Sequence, residues 1–318
     1  MKSKLYIIGN GFDIYHGLDT KYHTFGLFLK NNHITIYDHL IEYYGFSDLD
    51  KNDTLWTEFE NSLALLDSDA VLEAYRNSVA SPSSPDFRDR DWNTFAIDIE
   101  VIVKELTVKL FKEFREFILN VEYPNYLSVK NLPLDKNALY LTFNYTDTLE
   151  RYYEIPRENI LHIHGKASFK DNVLILGHGI DPQSFESEDP KPPKGLSNEE
   201  QEQWLEYMAD SYDHSYELGK NELLKYFSQS FKETSLIIND NQPFFETVKN
   251  IKEVIILGHS LSEVDMPYFT KVFNSIKKDA KWVATYYSED EKLAHEDTLK
   301  GLRILERDIT PIFMHELI

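Results

Sequence analysis

The stretch Leu5-Tyr6-Ile7-Ile8-Gly9-Asn10-Gly11-Phe12-Asp13 decides how the chain is read. Four apolar residues run into a turn with two glycines, and a helix-like segment follows. A short apolar run closed by glycine predicts a buried strand. A strand that ends in Gly-x-Gly and passes into a helix offers bare backbone amides to a phosphate or a ribose. The stretch therefore predicts a nucleotide-type ligand at the carboxyl edge of a parallel sheet. The third glycine of the dinucleotide fingerprint is missing from its place: residue 14 is Ile14, and the next glycine is Gly17. A tight strand-to-helix turn without a ligand explains the same residues.

Working outward, strand-like apolar runs recur at 138–143, 160–163, 173–176, 254–257, 282–285 and 309–314. Several are continuous rather than alternating, the pattern of strands covered on both faces. Helical patterns fill the gaps, which predicts an α/β fold with a Rossmann-like parallel sheet flanked by helices. Between Phe12 and Leu139 the patterns are helical. The clearest covers 94–120, where Ile99, Ile102, Val103, Leu106 and Leu110 recur at three- and four-residue spacing. A shorter amphipathic piece covers 55–66, and Ser81-Pro82-Ser83-Ser84-Pro85 reads as a loop. Residues from about 22 to 120 are thus expected to form a helical insertion after the first strand. A second, polar insertion is expected from about 181 to 230. There Asp189-Pro190-Lys191-Pro192-Pro193 breaks regular structure, and Asn198-Glu199-Glu200-Gln201-Glu202 opens an acidic helix. That helix reads as a solvated face, a lid or an oligomer contact. The chain as a whole, 1–318, reads as a single domain.

Composition narrows the partners. The 318 residues are 42% hydrophobic, enough for a large core. A net charge of -21 repels phosphate backbones and disfavours general nucleic-acid binding. There is no cysteine, which excludes disulfides, cysteine-ligated zinc and thiol nucleophiles and fits a cytoplasmic protein. The apolar run before Gly9 is too short for a signal peptide, and no run reaches the roughly 18 to 20 residues that cross a bilayer. No membrane contact is expected, and a homo-oligomer is compatible with the sequence.

Four segments at strand ends gather unusual polar residues: Gly9 to Asp13, Thr142 to Asp147, His162 to Gly165, and Gly258 to Asp265. In a parallel sheet they would converge at one edge, where ligands bind. Asn144 can donate and accept, so it suits a ribose hydroxyl or a water, or else bonds its own backbone. His164, directly before Gly165, suits general-base chemistry near neutral pH or a structural role. Asp147 and Glu150 have capping spacing. Asp13 suits either a ribose hydroxyl or a helix cap. Ser260 in Gly258-His259-Ser260-Leu261 fails the nucleophile-elbow pattern at Ser262 and reads as part of a polar nest before a helix that starts after Asp265. No His-Glu-x-x-His spacing is present, so no metal is expected.

Taken in order, these segments resemble the abortive-infection AbiH family. Its Gly-Asn-Gly-Phe-Asp, His-Gly-Leu and Thr-x-Tyr pattern is matched by Gly9 to Asp13, His16-Gly17-Leu18, and Thr20 with Tyr22. Its Trp-x-x-Phe-Glu element is matched by Trp56, Phe59 and Glu60, and its later elements by Phe143 to Thr146, His164-Gly165 and Gly258 to Leu261. The resemblance implies a bacterial anti-phage protein. A more distant similarity is to sirtuin-like NAD-binding domains, although their zinc-ribbon cysteines are absent and their Gly-Ala-Gly is Gly9-Asn10-Gly11 here. That similarity implies NAD or a related nucleotide as ligand, with Asn144 and His164 as catalytic residues. It matches Gly258 and Ser260 to the turn that holds the adenosine part. Together with the strand-end turns read above, Gly9, Asn10, Gly11, Phe12, Asp13, Tyr145, Gly165, Gly258, His259, Ser260 and Asp265 are expected around the nucleotide. The implied chemistry is hydrolysis of the N-glycosidic bond. A nucleotide sensor without turnover and a nuclease-type toxic effector are the alternatives.

Overall fold

The computed structural model describes residues 2–49, 54–125, 131–169, 173–186, 191–210 and 212–317; part of the expected breaker at 189–193 lies outside them. At the centre is a six-stranded, wholly parallel sheet. Its strands are β1 (Lys4–Ile8), β2 (Leu139–Thr142), β3 (Ile160–His162), β4 (Glu253–Leu257), β5 (Lys281–Tyr286) and β6 (Ile309–Phe313). They lie in the order β3-β2-β1-β4-β5-β6. The order reverses between β1 and β4, which makes that boundary the switch point of a doubly wound sheet, and the crevice beside it is where such folds bind ligands.

Alternation along each strand divides the apolar residues between two cores. On one face Leu5, Ile7, Leu141, Val254 and Ile256 meet residues such as Phe245, Tyr268, Phe269 and Leu299 of the helices Gln242–Thr247, Met266–Ser275 and Glu289–Gly301. On the other, Tyr6, Ile8, Tyr140 and Leu257 meet Phe12, Leu149 and Tyr153 of Asn10–Tyr15 and Thr148–Tyr153. The register sets Tyr6 opposite Tyr140, and their rings stack at 4.8 Å.

The two insertions build one helical layer with its own aromatic core, to which Phe25, Trp56, Phe59, Phe95, Phe114 and Tyr226 contribute. The expected helix over 94–120 is a continuous rod made of Thr94–Lys104, a π-helical turn at Glu105–Lys109, and Leu110–Leu119. Within the turn the Thr107 hydroxyl donates to the Val103 carbonyl and to Gln229 Oε1, a back-bond that loosens the helical ladder. Helix His214–Gln229 of the second insertion lies so close to the rod that a Cβ on Gly219 would stand 2.3 Å from the Phe95 ring. The acidic helix Asn198–Asp210 is exposed along most of its length.

One expected strand is absent. Residues 173–176 are an irregular segment, and the glycine after it does not end a strand. Val173 is 82% exposed, while Leu174 and Leu176 are buried in the core of the helical layer. The run is apolar because it packs under the inserted helices, not because it belongs to the sheet. Gly177 is instead pressed against Ser230, whose carbonyl oxygen would lie 2.1 Å from an added Cβ.

Gly258, directly after β4, has φ +62 and leaves no room for a side chain, since an added Cβ would lie 2.2 Å from the Phe12 nitrogen. Gly45 has φ +71 and nothing within 4 Å of the same position. Gly45→Ala is therefore expected to cost about 1 kcal/mol from backbone strain alone. Gly258→Ala adds overpacking and is expected to cost about 3 kcal/mol or more. Urea denaturation of the two variants, read side by side, checks the difference.

Candidate functional site

The carboxyl ends of β1 to β4 bring together the segments singled out in the sequence. At the switch point the Gly9 and Gly11 amides donate to the carbonyls of Leu257 and Gly258, at 3.0 and 2.7 Å. The two turns touch backbone to backbone: a Cβ on Gly9 would lie 2.5 Å from His259 Cα. These glycines permit that approach, and their amides are engaged within the protein. Phe12 is fully buried in the core beneath β1, with its ring 4.3 Å from that of His16.

The β2 turn is tied to the β1 turn by polar bonds. Asn144 Nδ2 donates to the Gly9 carbonyl at 3.0 Å, and the Asn144 backbone N–H donates to the Thr142 hydroxyl oxygen. Asn10 bonds Thr20 through both ends of its amide. Asp13 lies inside the helix Asn10–Tyr15 and does not cap it. Its carboxylate accepts from Thr146 at 2.7 Å and from Thr148 at 2.6 Å, so it joins the first two crossovers. Asp147 occupies the N-cap position of Thr148–Tyr153 but makes no side-chain cap bond; it pairs with Arg151.

A second cluster lies between the sheet edge and the helical layer. Lys232 Nζ bonds Glu60 Oε2 and lies 3.3 Å from Asp265 Oδ1. Asp265 in turn stands 3.7 Å from His164 Nε2 and 3.5 Å from His259 Nε2. Glu60 also accepts from the hydroxyls of Tyr22 at 2.6 Å and Tyr145 at 3.4 Å. Phe143 packs edge-on against His164, His259 and Tyr268, with centroids 4.4 to 5.5 Å away. Lys232, His164 and His259 are all at least nine-tenths buried. His164 Nε2 and the Tyr268 hydroxyl are buried with no hydrogen-bond partner. Above this cluster Asn61 reaches Ser262 at 3.4 Å, so the first insertion rests on the turn after β4.

Burial sets the charges. It holds His164 well below the ordinary histidine value, with Lys232 and His259 adding to the effect. It pushes His259 down to about 3, helped by His295 and Lys232. Both imidazoles are neutral at pH 7. Burial raises Asp265, against the opposing pull of Lys232. For Lys232 burial disfavours the charge, but Asp265 and Glu60 outweigh it and its pKa rises.

The expected residues therefore divide. Asn144, His164, His259 and Asp265 gather at the edge of β1 to β4, with Tyr145 beside Glu60. Gly165, at φ +84, turns the chain under Val173, whose carbonyl would meet an added Cβ at 2.8 Å. Ser260 is exposed and stands apart from the buried cluster. Glu60 and Lys232 were not among the expected site residues. Glu60 carried a signal as the last residue of the Trp-x-x-Phe-Glu element, whereas Lys232, in a polar stretch, carried none. Two surface cavities of about 740 and 440 Å³ are lined by other residues, among them Tyr123 and Arg151, and Glu217 and Lys225. Among the described residues no group of three or more His, Asp or Glu is placed to hold a metal ion. Among them, too, no helix is long and apolar enough to cross a membrane.

Asp13 offers a stability test. Burial raises its pKa from 3.8 to about 6, with hydrogen bonds from Thr148, Thr146 and Asn144 opposing the rise. The native state holds this proton more tightly than the unfolded chain. The contribution is complete below about pH 4 and is lost as pH rises through about 6, on the order of 3 kcal/mol in all. Asp13→Asn lacks this term, so the stability difference between variant and parent should shift in favour of the variant between pH 4.5 and 7. Urea midpoints at the two pH values measure it.

No curated protein matches this chain. The family model described as bacteriophage abortive infection AbiH matches residues 5–286, from β1 through the end of β5, and so spans every segment of the sheet edge described above. The chain is a member of the AbiH family of bacteriophage abortive-infection proteins.

Proposed function

We propose that this phage-defence protein binds a nucleotide such as NAD at the carboxyl edge of its sheet and hydrolyses the N-glycosidic bond. One observation carries the reading. Beside the switch point, between the sheet edge and a helical cover, neutral His164 and two carboxylates, Glu60 and Asp265, gather around Lys232, while Asn144 stands at the adjoining turn with its amide on the Gly9 carbonyl. The carboxyl edge of such sheets is where they take ligands, and this residue set suits a transition state that resembles an oxocarbenium ion.

In the reaction the C1′–N bond breaks and its electron pair passes to the ring nitrogen, so nicotinamide leaves neutral. Water adds to C1′, and its proton goes to His164 Nε2. Asp265, 3.7 Å from that atom, stabilises the imidazolium that results. Glu60 and Asp265 favour the cationic sugar, and Asn144 orients the water or a ribose hydroxyl. The polar edge is enclosed by the inserted helices, so substrate entry requires the cover to move. The same enclosure supports a second reading, a nucleotide sensor without turnover. In that case NAD would raise the melting temperature and release no nicotinamide.

Incubation of the purified protein with NAD is expected to release nicotinamide and ADP-ribose. His164→Ala should lower the rate roughly 10² to 10⁴-fold. Because burial keeps His164 below its ordinary value of 6.5, kcat/KM should stay level on acidification to pH 6.5 and fall only below it. Undiminished turnover by His164→Ala, or a base limb centred at or above pH 6.5, would remove His164 from this role.

A further inference from the structure

The cluster at the sheet edge has an unusual charge balance. Two carboxylates, Glu60 and Asp265, face one ammonium, Lys232, in a region where the lysine is 1% exposed. The ammonium can neutralise only one of them, and burial pushes Asp265 toward its neutral form. A second carboxylate in such a place takes up a proton or a further positive charge, so the arrangement has room for a cation and offers none to a phosphate. Aromatic rings of Phe143, Tyr145 and Tyr268 surround His164 beside it, with centroids 5.1 to 6.3 Å away, and aromatic rings attract cations. Two polar atoms with no partner, His164 Nε2 and the Tyr268 hydroxyl, are buried at the same place.

Lys232 also ties together three separate parts of the chain. Glu60 belongs to the first insertion, in the helix Phe59–Ser62. Asp265 belongs to the turn after β4. Lys232 follows helix His214–Gln229, where its own amide donates to His178. The lysine is thus both the resident cation of the cluster and one of the bonds that hold the cover to the sheet, beside Asn61 to Ser262 and Tyr145 to Glu60.

We infer that this buried cluster becomes a site for an aromatic cation of the pyridinium class once the cover lifts, and that Lys232 is its internal competitor, occupying the two carboxylates and helping to hold the cover shut until such a cation replaces it. The inference rests on the proposed nucleotide site and adds the end of the ligand that enters first. The positively charged ring goes inward to Glu60 and Asp265. The phosphates stay outside the cluster. When the ligand must displace a resident group, its apparent affinity is reduced by the fraction of molecules already open.

The test uses two probes with the same ring: N-methylnicotinamide, a cation, and nicotinamide, which is neutral. Binding of each to the full chain is measured by calorimetry. The parent protein is expected to bind the cation the more tightly of the two. Lys232→Met should strengthen the cation about tenfold, as expected if about one molecule in ten of the parent is open, and leave nicotinamide within about twofold. Lys232→Arg should keep the parent values. Asp265→Asn, which balances the charge, should abolish the preference for the cation. Equal changes for both probes in Lys232→Met, or a cation preference that survives Asp265→Asn, would overturn the inference. Lys232→Met leaves two buried carboxylates unpaired and is expected to be less stable. If it is too unstable for calorimetry, its melting temperature gives the answer: a rise with N-methylnicotinamide and none with nicotinamide supports the inference, and no difference overturns it. Neither readout involves turnover. Cation binding without NAD cleavage would remove the hydrolytic reading alone, and NAD cleavage without cation preference would remove this inference alone.

Discussion

Two peptide turns pressed against each other at the centre of the sheet set the terms for everything around them. The turn after β1 and the turn after β4 meet at the point where the strand order reverses, with Gly9 and Gly11 donating to Leu257 and Gly258 and no side chain between them. In a sheet of this type the crevice at that boundary is ordinarily open to a ligand. Here main chain fills it. The polar groups that decorate the neighbouring strand ends are consequently displaced outward, toward the space between the sheet edge and the inserted helices. Glu60 and Lys232 reach that space from the insertions, and the strand ends supply His164, His259 and Asp265.

This displacement changes what the electrostatics must accomplish. At a sheet edge open to water, an aspartate and a lysine would be worth little to each other. Enclosed, they compel pairing, and the pairs formed here run between segments distant in sequence. The Asp13 carboxylate is enclosed in a similar way, with hydroxyls from Thr146 and Thr148 in place of a cation, and its proton affinity rises accordingly. The two clusters show the two ways a buried carboxylate is accommodated: by a countercharge, or by hydrogen bonds and a raised pKa.

Much of the sheet was legible because its strands are covered on both faces and read as unbroken apolar runs ending at glycine or asparagine turns. The rod over 94–119 was legible for the complementary reason, a stripe at three- and four-residue spacing. The π-helical turn within it was not, since it depends on the Thr107 hydroxyl meeting Val103 and Gln229, and Gln229 comes from the other insertion. Residues 173–176 misled because an apolar run records burial and not the surface that provides it. His164 was found from its position before a glycine at a strand end. Lys232 could not be found this way: a lysine among polar residues reads as solvated, and only its tertiary neighbours show it buried. Asp13 was read as a cap or a ribose ligand because the threonines that engage it are brought close only by the pairing of β1 with β2.

The helical layer is assembled from two stretches of chain that leave and rejoin the sheet at different strands. Helix His214–Gln229 lies along Thr94–Lys104, and their side chains share one core. Such a layer cannot swing like a flap on a single loop. Lifting either stretch alone would strip aromatic rings from their packing, so the two must travel as a unit and bend at several chain crossings at once. Displacement of this layer should accordingly be a concerted, all-or-none event, slow beside the motion of an ordinary surface loop and steeply dependent on whatever sets it off.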